Sequence, residues 1–227
     1  MNLSLICWIA VFALLPGILE SLRPAWANGP FPLERVLQAA QLRHGDRAVD
    51  AVRGWERMLS AFRGGSELQK LRDVNEYFNR RLRFEDDQRN WGQNDYWATP
   101  IEAMMRGAGD CEDYSIAKYV SLKYLGVPVS RLRITYVRAK IGGPGSNITQ
   151  AHMVLTYYPT PDAEPLVLDN LVGEIRPASR RGDLQPIFSF NSEGVFGSGV
   201  SEAQAGGGSR LSRWNDLVEK MKAEGLE

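Results

Sequence analysis

Cysteine and histidine are scarce in this chain, with two of each among 227 residues. Two cysteines cannot build a disulfide-dense scaffold. Net charge is missing as well, since 27 Lys and Arg balance 27 Asp and Glu. That removes the basic footprint that nucleic-acid binders carry. Internal repeats are absent, which excludes solenoid architectures. What is present is an apolar fraction of 44% with 10% aromatics. That is too apolar for a disordered chain. The length suits one domain, or one domain with an extension.

The N-terminus changes the count. Residues 3–19 are nearly all apolar and carry no charge, and Ala25-Trp26-Ala27 follows as a small-x-small cleavage signature. Residues 1–27 therefore read as a secretory signal peptide. The competing reading is an uncleaved anchor, because the apolar run approaches spanning length. Ile6 before Cys7 argues against lipid attachment there. Cleavage removes Cys7 and leaves Cys111 alone, so no internal disulfide can form. A lone cysteine is either an inert buried hydrophobe or a working thiol.

Helical spacing runs through residues 33–43, 48–62 and 66–82, the last with Leu68, Leu71, Val74, Phe78 and Leu82 on one stripe. Thr99-Pro100-Ile101-Glu102 reads as an N-cap, a proline at the first helical position and a capping-box Glu. A further helix is expected from Asp110 to Leu125, with Cys111, Ser115, Lys118, Leu122 and Leu125 on one face. The period then changes to two over 131–138 and 151–158, with a third short strand over 166–172. Residues 139–150 read as a Gly-rich loop. Helices first and an antiparallel sheet after them is α+β organisation. The expected layout is a folded domain over 28–190, a flexible Gly/Ser-rich connection over 191–210 and an amphipathic helix over 211–227. That helix either docks on the domain or binds a partner.

Cys111 follows Gly107-Ala108-Gly109-Asp110 and falls in the first turn of its helix. A helix N-terminus lowers a thiol pKa and favours the nucleophilic thiolate. A hairpin centred between Thr160 and Pro161 would set His152 directly opposite Asp169. Asp169 could then orient the imidazole as a nucleophile–base–carboxylate triad requires. His44, beside Gly45-Asp46, reads as a polar turn residue. One feature opposes this chemistry: Asp110, Glu112 and Asp113 surround the cysteine, and negative charge raises a thiol pKa. Either these acids merely favour the helix N-terminus, or a hard cation such as calcium offsets them. No EF-hand loop is present.

The order Cys–His–Asp resembles the transglutaminase-like cysteine peptidase fold. More narrowly, Asp110-Cys111-Glu112-Asp113-Tyr114, Ala151-His152-Met153-Val154-Leu155, Leu168-Asp169-Asn170 and Trp97-Ala98-Thr99-Pro100 resemble the bacterial transglutaminase-like cysteine proteinases of the LapG type. The likeness implies a periplasmic, calcium-dependent endopeptidase that cuts the N-terminal region of a large surface adhesin and so releases biofilm cells. It implies inhibition by an inner-membrane cyclic di-GMP receptor. It assigns Cys111 as nucleophile, His152 as general base and acid, Asp169 as orienting carboxylate, and Asp110, Glu112 and Asp113 as the calcium site. An oxyanion side-chain donor is expected within Trp91–Trp97. A departure from the family pattern is the Gly-rich insert Gly142–Ser146. Two other readings share these residues: acyl transfer to an amine, and a non-catalytic binding module.

Overall fold

The computed structural model describes residues 30–143, 146–197 and 212–226. The expected signal peptide lies outside them, as do residues 198–210 of the expected connection.

Two helices open the fold, α1 (Leu33–His44) and α2 (Asp46–Phe62), separated by Gly45 at a left-handed φ of 75°. The apolar stripe of α2 is buried at Val52, Trp55, Met58 and Leu59. Next, α3 (Glu67–Arg81) starts on Ser66, whose hydroxyl accepts from the Gln69 amide at 3.3 Å. It buries Leu71, Val74 and Phe78, while Leu68 stays exposed. Strand β1 (Arg83–Phe84) and the single turn α4 (Asp87–Asn90) follow. Helix α5 (Pro100–Arg106) carries the anticipated capping box between Thr99 and Glu102, and Gly107 ends it at φ 67°. Strand β2 (Ala108–Gly109) pairs with β1 in parallel.

Helix α6 (Cys111–Tyr124) is the centre of the molecule. The sequence suggested a one-sided helix. Instead every residue from Glu112 to Lys123 is buried, because the sheet and other helices enclose it. The sheet has six strands in the order β6-β5-β4-β3-β7-β8, all paired antiparallel. They are β3 (Leu132–Ile141), β4 (Ile148–Tyr157), β5 (Leu166–Leu168), β6 (Arg176–Pro177), β7 (Leu184–Asn191) and β8 (Gly194–Gly197).

Three expectations need correction. The β3–β4 ladder runs out to Ile141 opposite Ile148, so half of residues 139–150 is paired strand rather than loop. The third strand ends at Leu168, not 172. Residues 194–197 form an edge strand on β7, so the connection does not begin at 191. Strand β7 itself contains Pro186, and the register shifts at that point. A proline offers no N–H to the ladder and is tolerated at such an irregularity.

The last element, α7 (Ser212–Ala223), buries Trp214, Leu217 and Met221. Trp214 meets Tyr119 edge-on at 5.7 Å and Phe190 at 5.3 Å. The C-terminal helix is thus docked on the sheet and on α6. No helix among the described residues is long and apolar enough to cross a membrane.

Candidate active site

Cys111 is the first residue of α6, with Asp110 at its N-cap. The turn before it is tight. A Cβ on Gly109 would lie 2.6 Å from Asp113 Oδ2, so glycine is needed for that close approach. Asp113 ties the turn together: Oδ1 accepts from the Ala98 amide at 2.8 Å and Oδ2 from the Asp110 amide at 3.3 Å.

The thiol donates to Glu112 Oε2 at 3.1 Å. Burial, then the Glu112 and Asp110 carboxylates, push it far above its ordinary range, while a backbone hydrogen bond at Met153 pulls the other way. The conflict visible in the sequence is therefore real. Ser115, one turn on, has Oγ 2.9 Å from the Cys111 carbonyl and 3.2 Å from that of Met153. These contacts fasten the start of α6 to β4 beside His152.

His152 is buried on β4, and its Nε2 lies 2.8 Å from Asp169 Oδ1. The pairing arises differently from the expected register. Leu155 stands opposite Leu168, so the ladder continued would set Val154, not His152, opposite Asp169. A slip of two preserves the face of every side chain, whereas a slip of one would reverse it. Asp169 thus reaches His152 diagonally, from just beyond the end of β5. Its Oδ1 also accepts from the Leu171 amide at 3.0 Å and its carbonyl from Asn79 Nδ2 at 2.8 Å. Burial alone would raise its pKa, but the hydrogen bond and charge of His152 and the other donors hold it down at about 2. With Nε2 on Asp169, Nδ1 is the imidazole nitrogen left for other chemistry. Among the described residues no hydrogen bond joins Cys111 to His152. The thiol is directed to Glu112, and Met153 bridges the two positions.

The acids form a larger cluster than the three beside the cysteine. Ligand atoms of Asp87, Asp110 and Asp113 lie within 4.8 Å of one another, as do those of Asp87, Asp95 and Glu112 and those of Asp110, Cys111 and Glu112. Oδ1 of Asp87 and Oδ1 of Asp110 are buried with no hydrogen-bond partner. Burial foremost, with neighbouring carboxylates, lifts Asp87 to about 6 and Asp110 to about 10. Burial likewise holds Asp113 well above the usual carboxylate range. Carboxylate oxygens in such number are the donor set of a hard divalent cation, and calcium fits it. Asp87 and Asp95 were missed from sequence. They lie in the acidic, aromatic stretch before Trp97, and only folding brings them to α6: the Tyr96 amide donates to Asp87 Oδ2.

In the stretch expected to supply an oxyanion donor, Trp91 holds a buried indole N–H without a hydrogen-bond partner. Trp97 Nε1 is committed to Asp95 Oδ1 at 3.1 Å. His44 is more than a turn residue, since its Nε2 lies 3.0 Å from Glu224 Oε1, beyond α7.

A cysteine heading a buried helix against a sheet that carries a His–Asp pair defines the class of papain-like and transglutaminase-like thiol enzymes. The family described as bacterial transglutaminase-like cysteine proteinase BTLCP matches residues 55–182. The chain belongs to that family. It is similar to solved structures of Legionella pneumophila LapG at 36% identity. The first covers 85% of this chain and 99% of that one, with a TM-score of 0.69. A calcium-bound form covers 83% and 98% with a TM-score of 0.69. An EGTA-treated form covers 85% and 100% with a TM-score of 0.71. No curated protein sequence matches.

Proposed function

We propose that this chain is a periplasmic, calcium-dependent cysteine endopeptidase that cuts the N-terminal region of a large surface adhesin and releases biofilm cells. The observation that carries the reading is the His152–Asp169 hydrogen bond at 2.8 Å, on the strand whose Met153 touches the Cys111 thiol. Family membership and 36% identity to LapG support the reaction class. The substrate, the cyclic di-GMP receptor as inhibitor and the periplasmic location rest on resemblance.

In this mechanism Asp169 fixes His152 by accepting from Nε2–H, which leaves the Nδ1 lone pair to take the thiol proton. Cys111 attacks the scissile carbonyl, and backbone N–H groups at the start of α6 receive the developing oxyanion. His152 returns the proton to the leaving amine. Water then hydrolyses the acyl-enzyme, with His152 again as base. Asp87, Asp95, Asp110, Glu112 and Asp113 would hold calcium. When bound, it supplies positive charge against the carboxylates that keep the thiol protonated.

Acyl transfer to an amine uses the same residues, and a binding module would use none of the chemistry. Mass spectrometry of the products separates the two reactions, showing new termini or a crosslink. Replacing Cys111 with Ala should abolish cleavage with the fold intact. Cleavage by that variant at an undiminished rate would sink the assignment.

A further inference from the structure

Sequence patterning gave no hint of Arg181, which reads as one polar residue in Arg180-Arg181-Gly182-Asp183. In the fold it is buried, at 3% exposure, and is held at both ends. Its amide donates to the Ala178 carbonyl at 2.9 Å, and its own carbonyl accepts from the Leu184 amide at 2.9 Å. The side chain reaches Asp169, where Nη2 donates to Oδ2 at 2.7 Å. Its Nε donates to Asp183 Oδ1 at 3.0 Å and Nη2 to Asp183 Oδ2 at 2.8 Å. The guanidinium plane is thereby fixed by one buried and one part-exposed carboxylate.

The two oxygens of Asp169 consequently have separate tasks. Oδ2 is held by Arg181 and Oδ1 faces His152. Without Arg181 the carboxylate could rotate about Oδ1, and a buried anion would lose a charged partner. We propose that Arg181 is a positioning residue, which locks the Asp169 carboxylate so that Oδ1 takes Nε2 of His152 and Nδ1 stays presented towards Cys111. This rests on the peptidase reading for its effect on turnover, but not for its effect on the imidazole.

Other charged and polar groups surround the pair. Lys118 of α6 is fully buried, its pKa lowered by burial to about 7 with Asp169 acting against that fall. Asp183 lies behind Arg181, and Asn79 of α3 holds the Asp169 backbone. All three stay in place in the variants compared below.

The test uses the full chain in calcium, as wild type, Arg181→Gln and Arg181→Lys. The His152 imidazole is titrated by NMR, with His44→Gln assigning the only other histidine. Arg181→Gln removes a positive neighbour, so the imidazole pKa should rise. Turnover should fall by about 10- to 100-fold with KM unchanged, the scale seen when the hydrogen-bond partner of a metal-bound histidine is lost. Arg181→Lys keeps the charge without the planar fork, so its imidazole should titrate near wild type while turnover recovers only in part. Arg181→Lys also provides the comparison if Arg181→Gln fails to fold. An unchanged imidazole pKa and unchanged turnover in either folded variant would overturn the inference. Absence of cleavage by every chain would sink the peptidase reading, and a His152 imidazole that keeps its Nε2–H tautomer in both variants would then overturn the positioning role.

Discussion

At the scale of single residues, Cys111 is placed where a thiol reacts and surrounded by groups that keep it protonated. Asp169 has the opposite character, ionised in a buried position because His152 and Arg181 share its two oxygens. Its folded pKa of about 2 lies below the ordinary carboxylate value of 3.8. A lowered carboxylate pKa stabilises the fold above pH 3.8, and that contribution is lost as pH falls towards 2. The size is about 2 kcal/mol from the usual 1.36 kcal/mol per unit. Asp169→Asn should therefore flatten the acid limb of stability, measured by urea unfolding between pH 5 and about 2.5. It should also cut turnover by about 10⁴-fold if the imidazole loses its tautomer, as in other nucleophile–histidine–carboxylate enzymes. An unaltered acid limb would mean that the ion pair contributes nothing net.

Secondary-structure elements explain which parts of the site could be read in advance. The α5 cap was legible because Thr99, Pro100 and Glu102 act within one turn, and local rules suffice there. Thr99→Ala should cost about 1 kcal/mol, the common scale for a lost cap, as a lower midpoint in urea. The start of α6 was legible for the same reason. The β4–β5 register was not, because it depends on how many residues the connection between Tyr157 and Leu166 leaves unpaired. The His152–Asp169 hydrogen bond forms nonetheless, since a slip of two keeps both residues on one face. Asp87, Asp95 and Arg181 were invisible because each acts on a residue reached only through tertiary packing. Docking of α7 also depends on tertiary contacts. Arg213 pairs with Asp95 at 2.6 Å, and Lys220 Nζ donates to the Trp97 carbonyl and lies 3.9 Å over the Tyr96 ring. This helix therefore grips the loop that brings Asp95 to the acidic cluster. Trp214→Ala should destabilise by about 3–5 kcal/mol and weaken calcium binding together. Calorimetric calcium affinity equal to wild type in that variant would separate α7 from the site.

For the molecule as a whole, the formal charge of zero conceals a concentration of acid at one place. Five carboxylates converge near the head of α6, and two of their oxygens are buried without partners. Such a cluster favours the folded state only when a cation shares it. Calcium that binds the native chain alone should raise the melting temperature with concentration, and EGTA should reverse the rise. A melting temperature indifferent to both would remove calcium from the account. The fold otherwise divides these groups plainly: the helical half carries Cys111 and the acids, and the sheet carries His152 with Asp169 just beyond β5.

Cys111, beside the His152–Asp169 pair, is proposed to hydrolyse a peptide bond in an adhesin. The most direct test is to incubate the full chain with purified adhesin N-terminal fragments and read the products by mass spectrometry. Wild type and Cys111→Ala are compared, each with calcium and with EGTA. One pair of new termini is expected with wild type in calcium, and none in EGTA or with Cys111→Ala. Cleavage that persists in Cys111→Ala, or crosslinked product without new termini, would contradict the proposal.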